Sequence, residues 1–412
     1  MKIAVVGSGI SGLSAAYYLS KKHHVDLFEK EDHFGGHSYT IDLFFDKKKV
    51  SVDIGFIVFN FQTYPNLINF FKENDIQLEK SNMSFSVSVD NTSFEYCGKN
   101  LSGIFSNKWN LFNLNFLKMF FDILRFYKKS DQISISDKKI TLGEYLKINK
   151  LSQPFIDYHI VPMVSAIWSM PPYEASKMPI TFFLKFFQNH GLFKLKNRPQ
   201  WFTVSNRSKT YVNKIISQIS GEHYKNYKVT KIKRKPSGLD LYYGEENEFF
   251  DYEKIVIATH ADEALKLIEN PTDNEKNILS NFKYKENIAY IHTDEKAMPK
   301  NKKNWCSWNS SIDNKNIDNS SITYWLNLLQ NLKCDENIFL TLNPYFEIDQ
   351  SKILKKVKFT HPYYDQKTLD TQLELSKLQN EKNLLFCGSY FGYGFHEDGI
   401  KSSIEMLKNL DV

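Results

Sequence analysis

Apolar positions in this chain recur with two periods, and each switch between them marks an element. Residues 2–6, KIAVV, form a short apolar run that predicts a buried strand. After a Gly-rich turn, LSAAYYLSKK has helical spacing, and HVDLFEK predicts a second strand ending in an acid, Glu29. A helix is expected over 62–75, and SFSVSV (84–89) alternates as a strand with one buried face does. Residues 109–129, with NFLKMFFDILRFYKK, carry apolar side chains at helical spacing and end in Arg125, Lys128 and Lys129. That pattern suits an ordinary buried helix and also an interfacial helix that touches lipid. IVPMVSAIWSMPPYEASKMP (160–179) is apolar until Pro171 and Pro172 stop any helix, and it makes Trp168 a pocket candidate. Residues 200–219 read as a loop and then a helix. YKVTKIKRKPSGLDLYYG reads as strand, turn and strand, and KIVIATHADEALKLI (254–268) as a buried strand entering a helix. NKNIDNSS (314–321) is a polar surface loop.

Composition narrows the class. The chain has 412 residues, more than one compact core usually holds, so two or three domains are expected. Hydrophobic residues make up 42%, enough for globular folding. The 33 Phe and 23 Tyr raise the aromatic share to 15%, and such rings often line pockets for flat or oily ligands. A net charge of +6 suits a solvated Lys-rich surface and equally an attraction to an anionic membrane. The basic residues are not clustered as a nucleic-acid binder requires. Cys97, Cys306, Cys334 and Cys387 share no CxxC spacing, so neither a metal site nor a disulfide framework is expected, and a reducing, cytoplasmic setting fits. A strand starting at residue 3 leaves no room for a signal peptide, and no apolar run reaches the roughly 18 residues of a membrane span.

The chemistry begins at Gly7-Ser8-Gly9-Ile10-Ser11-Gly12. In this GxGxxG pattern Gly7 permits the tight turn, Gly9 lets the backbone approach a pyrophosphate, and Gly12 lets helix and strand pack closely. Glu29 stands at the distance that suits ribose hydroxyls. Strand, turn, helix, strand and acid in this order predict a dinucleotide site.

His33-Phe34-Gly35-Gly36-His37-Ser38 follows. It resembles the RxGGR motif of the flavin amine oxidase and phytoene desaturase superfamily, with His37 in place of the closing Arg. VDIGFIVFN (52–60) resembles that superfamily's D-x-G segment and sets Asp53 and Gly55 near the cofactor. The resemblance implies FAD and an α/β fold in which a Rossmann-like domain is built from three segments, 1–78, 200–268 and 377–412. An α+β substrate domain is inserted as 79–199, mainly helical, and 269–376, mainly strands. Val229 is the implied strand position whose backbone meets the adenine. Ser11, Lys30, Ser38, Phe56, Ser389 and Ile400, beside these motifs, are expected among the FAD contacts.

Near the other end, LLFC (384–387) leads into Gly388-Ser389, and Asp398-Gly399-Ile400 opens a helix. This is similar to the superfamily's closing segment, where a helix N-terminus faces the flavin and stabilises negative charge on it. The tract YFGYGFHEDG (390–399), with NIAYIHTD, NWCSWN and TYWLNLLQNL, looks like a bacterial subgroup of FAD-dependent oxidoreductases associated with cyclopropane-synthase-like methyltransferases. One activity in that group desaturates a methyl-branched fatty acyl chain of a phospholipid on the route to furan fatty acids. The resemblance covers essentially the whole chain. It implies a lipid acyl-chain substrate, a methyltransferase partner and placement at the inner face of the membrane.

Dehydrogenating such a chain needs a hydride acceptor and a base. His396 and Glu397, with assistance from Tyr393, are the candidates for the base. His396 reads equally as a residue pinning the loop, and Glu397 as a helix-start acid. His292 and Asp294 read as a strand-end pair. The Lys that amine oxidases of the superfamily place beside the flavin aligns near Asn287, with Lys285 two residues away on the same strand face. Two other readings stay open: a flavin oxidase of small amines or polyamines, and a non-catalytic flavoprotein that partners a lipid methyltransferase.

Overall fold

The computed structural model describes residues 1–98, 107–129, 140–194, 198–244 and 248–410. Its base is a parallel sheet in the spatial order β3-β2-β1-β4-β5. These strands are β1 (Lys2–Val6), β2 (His24–Glu29), β3 (His223–Lys225), β4 (Lys254–Ile257) and β5 (Leu384–Phe386). Ile3 pairs with Lys254, and Ile255 with Leu384, so strands far apart in sequence lie side by side.

A central parallel strand is covered on both faces, which is why KIAVV is apolar throughout. Ile3 and Val5 share one core with α1 (Ile10–Leu19), α2 (Pro65–Glu73), α4 (Ser208–Ile216) and α5 (His396–Leu407). Ala4 and Val6 belong to the opposite core, closed by the antiparallel strands Val229–Lys235, Gly238–Tyr243 and Glu248–Tyr252.

The second unit is a mixed sheet of seven strands, running Ile353–Tyr363, Lys283–His292, Phe339–Leu342, Ser320–Trp325, Trp308–Ile312, Phe85–Val89 and Glu95–Cys97. Its helical partner layer includes α3 (Leu114–Lys129) and the helices Leu142–Ile148, Val161–Trp168 and Ile180–Asn189. The α/β architecture expected from the sequence is therefore the one observed: a Rossmann-like sheet gathered from separated segments, plus an inserted sheet-and-helix unit.

Some elements differ from the reading of the sequence. Trp201–Val204 is a strand rather than a loop; it pairs with Leu78–Ser81 and Phe59–Asn60, and its partners are too distant in sequence for local pattern to reveal. The helix Val161–Trp168 ends before Pro171, at Ser169, which takes a left-handed conformation. Cys97 and Cys306 meet in the core with sulfurs 2.9 Å apart. No helix among the described residues is long and apolar enough to cross a membrane.

Candidate functional site

The turn after β1 has the expected shape. Gly7 has φ +98°, and its N–H donates to the carbonyl of Phe28 in β2. A Cβ on Gly12 would collide with the carbonyl oxygen of Gly7, so the close helix–strand approach requires glycine. Gly9 is different: a Cβ there would meet nothing within 4 Å. No side chain caps α1 and no acid lies in its first turn, so its amides face that space without a built-in anion. Glu29 is buried at the end of β2. Oε2 accepts from the Ser8 N–H (3.0 Å) and Oγ (2.5 Å), and Oε1 from the Glu31 N–H (3.0 Å). Oε2 is filled by the two Ser8 donors, and Oε1 keeps a further lone pair for a hydroxyl.

The 33–38 loop lies across this turn. The Gly35 N–H donates to both Ser8 oxygens, and a Cβ on Gly36 would come within 3.0 Å of the Gly9 Cα. The Phe56 N–H donates to the His37 carbonyl, and a side chain on Gly55 would run into that same carbonyl. The Gly7–Gly12 turn, the Gly pair and the 55–56 segment therefore stack as three layers of backbone.

The last helix meets the first at its start. A Cβ on Gly399 would fall 2.7 Å from Ser11 Oγ, and the hydroxyls of Ser14 and Ser403 are 2.6 Å apart one turn further on. Gly388 donates its N–H to Ser402 Oγ, which ties the turn after β5 to the same helix, and Ser389 begins the short turn that follows. Close packing of α5 on α1 thus accounts for part of the glycine density near the C-terminal end. Gly392 serves in the same way, since a side chain there would displace Asp398.

The remaining positions fall into two groups. His396 stacks on Phe56 (centroids 3.6 Å) and places Nε2 2.9 Å from Ser38 Oγ, which also meets the Tyr211 hydroxyl. Burial lowers the His396 pKa to about 3, so the ring is neutral. Tyr393 packs on Phe182 and Phe186, its carbonyl accepts from Trp168 Nε1, and burial raises its hydroxyl to about 12. Trp168, Phe182, Phe186, Tyr393 and Phe395 form one aromatic wall.

The second group is turned elsewhere. Glu397 accepts from the N–H groups of Asn66 and Leu67 and from Asn66 Nδ2, which makes it the anion at the N-terminus of α2. Asp398 accepts from the Phe395 N–H, and burial raises it to about 6. The Ile400 side chain is core, so only its backbone can face a ligand. Lys30 is paired with Glu263. Val229 opens its strand two residues after Tyr227, whose N–H donates to the Glu29 carbonyl, so it lies near the acid. Asp53, expected near the cofactor, has its carboxylate committed to protein donors. It is buried, accepts from Thr40 Oγ1 and from the N–H and hydroxyl of Ser208 at the start of α4, and its backbone is held by both ends of the Gln330 amide. His292 bonds Thr341 and Asp294 pairs with Lys352, both at the far end of the large sheet.

Pattern did not single out one group. His37, His260 and His361 cluster where the large sheet meets the 33–38 loop, with the His37 ring 5.3 Å from His361 and 6.4 Å from His260. All three are pushed toward the neutral form, chiefly by burial. The Nε2 of His37 is buried and has no partner. Asn343 donates to Asn287 Oδ1 (2.6 Å), which turns the Asn287 amide N–H toward His361 Nδ1 (2.9 Å). His361 then carries its proton on Nε2. The signal for this cluster is tertiary: the histidines sit on three separate segments. A narrow cleft beside it is lined by Trp168, Met170, Lys285, Asn287, His361 and Tyr363. Its cation, Lys285, is paired with Glu174.

The open space at Gly9, the uncapped α1 amides and the buried Glu29 carboxylate fit a dinucleotide such as FAD. Residues 5–73 match the NAD(P)-binding Rossmann-like domain family. No curated protein matches the sequence. Solved structures match over the full length. A CLA-producing fatty acid isomerase from P. acnes has a TM-score of 0.69 and 12% identity, with 100% of this chain and 98% of that chain covered. Cyclohexylamine oxidase from Brevibacterium oxydans IH-35A gives 0.68 and 13%, covering 100% and 99%. Putrescine oxidase bound to putrescine gives 0.68 and 11%, also covering 100% and 99%. The likeness establishes a Rossmann-like FAD-binding fold of the amine oxidase type.

Proposed function

We propose that the protein is an FAD-dependent oxidoreductase that desaturates a lipid acyl chain, a methyl-branched fatty acyl chain of a phospholipid being the substrate class the sequence resemblance implies. The observation that carries this reading is the electrical neutrality of the cleft. Its histidine is neutral, its polar amide is satisfied, and Lys285 and Glu174 neutralise each other. Such walls suit an uncharged chain over an ion, because a buried ion without a partner is costly; the cleft itself, about 10 Å³, has room for one water, so a chain has to widen it on entry.

When bound, the flavin supplies a hydride acceptor. The chain's own residues do the rest. The α1 amides and the Gly9 cradle would hold the diphosphate, and Glu29 would accept from the ribose. Trp168, Phe182, Phe186 and Tyr393 orient the apolar chain and exclude water. His361, fixed by Asn287, presents Nε2–H to the cleft. His396 is the group we place at proton transfer, because Glu397 is committed to α2 and Tyr393 holds its proton.

The test is anaerobic absorbance of the purified protein with phospholipids that contain methyl-branched acyl chains. Loss of the oxidised-flavin band, with a product lighter by two hydrogens, is the expected result. No change with lipid but bleaching with amines transfers the assignment to amine oxidation, the activity that two of the structural neighbours' names carry. Bound FAD that responds to neither, in a protein that co-purifies with a lipid methyltransferase, supports the non-catalytic reading.

A further inference from the structure

Helix α3 has two apolar faces, and only one is buried. Phe116, Met119, Ile123, Phe126 and Tyr127 enter the core that also contains Trp168, Phe182 and Phe186. At about 100° per residue, Leu114, Leu117, Phe121 and Leu124 fall within an arc of about 80° on the opposite side. Leu114 is 72% exposed, Phe121 64% and Leu124 39%. Globular surface helices put polar residues there. Leu111, 49% exposed, lies just ahead of the helix.

Among the described residues on α3 and the adjoining helix end, the charges around this stripe are cationic apart from Asp122. Lys118, Arg125, Lys128 and Lys129 lie on α3, whose one acid, Asp122, is spent on Arg125 and the Ser152 N–H. Arg125 also donates to the carbonyls of Asn149 and Lys150, which brings the end of helix Leu142–Ile148 to the edge of the stripe. That end contributes Lys147, Lys150 and Ile148, the last 68% exposed.

We propose that this face docks on an anionic lipid bilayer, with Leu114, Phe121 and Leu124 entering the headgroup boundary and the lysines meeting the lipid charge. An apolar stripe ringed by cations is the pattern of an interfacial helix. Charge decides between a bilayer and a second copy of the chain. A two-fold contact through this face would set the cations of one copy against those of the other. The inference does not rest on the oxidoreductase reading, since docking needs neither substrate nor turnover. It does place the docked helix against the core that supplies the aromatic wall.

The experiment is flotation of the full chain, as purified, with vesicles of phosphatidylcholine alone or with about one third phosphatidylglycerol. FAD content is measured on the same samples, so that a failed cofactor assignment and a failed docking assignment are separately visible. Binding to the phosphatidylglycerol vesicles that weakens with salt is expected. The double variant L114S/F121S should lose at least about tenfold of that binding at an unchanged thermal midpoint. The triple variant K118Q/K128Q/K129Q should lose the salt dependence as well. Absence of vesicle binding overturns the proposal, and so does binding that L114S/F121S leaves intact. A dimer in light scattering that L114S/F121S splits, without vesicle binding, would assign the face to a second copy and overturn it too.

Discussion

Glu397, in the first turn of the last helix, receives the backbone N–H groups of Asn66 and Leu67 at the first turn of α2. Its carboxylate holds together two helices that both end at the candidate site. Glu397→Ala leaves buried amides without acceptors and should cost about 1–3 kcal/mol of stability. Glu397→Gln keeps an acceptor and should cost less. If Glu397 only positions, E397Q retains most of the rate of flavin reduction in stopped-flow measurements. A drop of about a hundredfold or more would give it the base's role.

Gly9 and Gly12 separate binding from folding. Gly12→Ala sets a methyl inside the Gly7 carbonyl and should prevent a stable fold. Gly9→Ala places its methyl in open space, so the FAD-free protein should melt close to the parent. Its FAD affinity should fall by at least about tenfold, because the methyl occupies the diphosphate cradle. Calorimetric titration with FAD and a melting curve read the two effects apart.

Asn287 fixes the tautomer of His361. Asn287→Ala removes the donor to Nδ1 and should slow flavin reduction several-fold, the effect of one lost hydrogen bond of about 1 kcal/mol. FAD content should be unchanged. Substrate KM and the reduction rate constant, measured together, show whether the loss is in binding or in the chemical step.

Acid should destabilise the protein well above the usual carboxylate range. Burial lowers the pKa of His159 and His396 to about 3, and of His190, His292 and His361 to about 4. The unfolded chain takes up those protons near 6.5, so each histidine's contribution is present above that pH and is lost as pH falls toward 4. Asp53 and Asp398, raised to about 6, act in the opposite sense, because the folded state binds their protons first. The histidines outnumber them. The thermal midpoint should therefore fall by several degrees, roughly, between pH 6.5 and 5. A midpoint that is flat or rising over that interval contradicts the assignment of these rings as neutral.

The legible parts were those written in local sequence. KIAVV, the glycine turn and Glu29 announced the dinucleotide unit because each position answers to a steric or hydrogen-bonding demand within a few residues. Residues 384–399 were legible as the returning end for the same reason. The role of Asp53 was not, since an acid two residues before a glycine looks the same whether it faces a cofactor or a helix start. The partners that decide it, Ser208 and Gln330, are far along the chain. The histidine cluster was hidden likewise, because it depends on what packs nearby, whereas the lipid-facing alternative for 109–129 was already legible in its Phe, Leu and basic residues.

The order of strands in the parallel sheet has a consequence for biogenesis. β1 emerges first, yet on one side it needs β4, and β4 in turn needs β5. The glycine turn that opens the chain gains its last wall only when Gly399 packs on Ser11. During synthesis one edge of β1 therefore waits until residues 254–257 have been made, and β4 waits in turn for residues 384–386. Folding of this kind, dominated by distant contacts, is slow and exposes surfaces that aggregate. A polypeptide broken off before the helix that carries Gly399 therefore has no closed cradle beside the glycine turn.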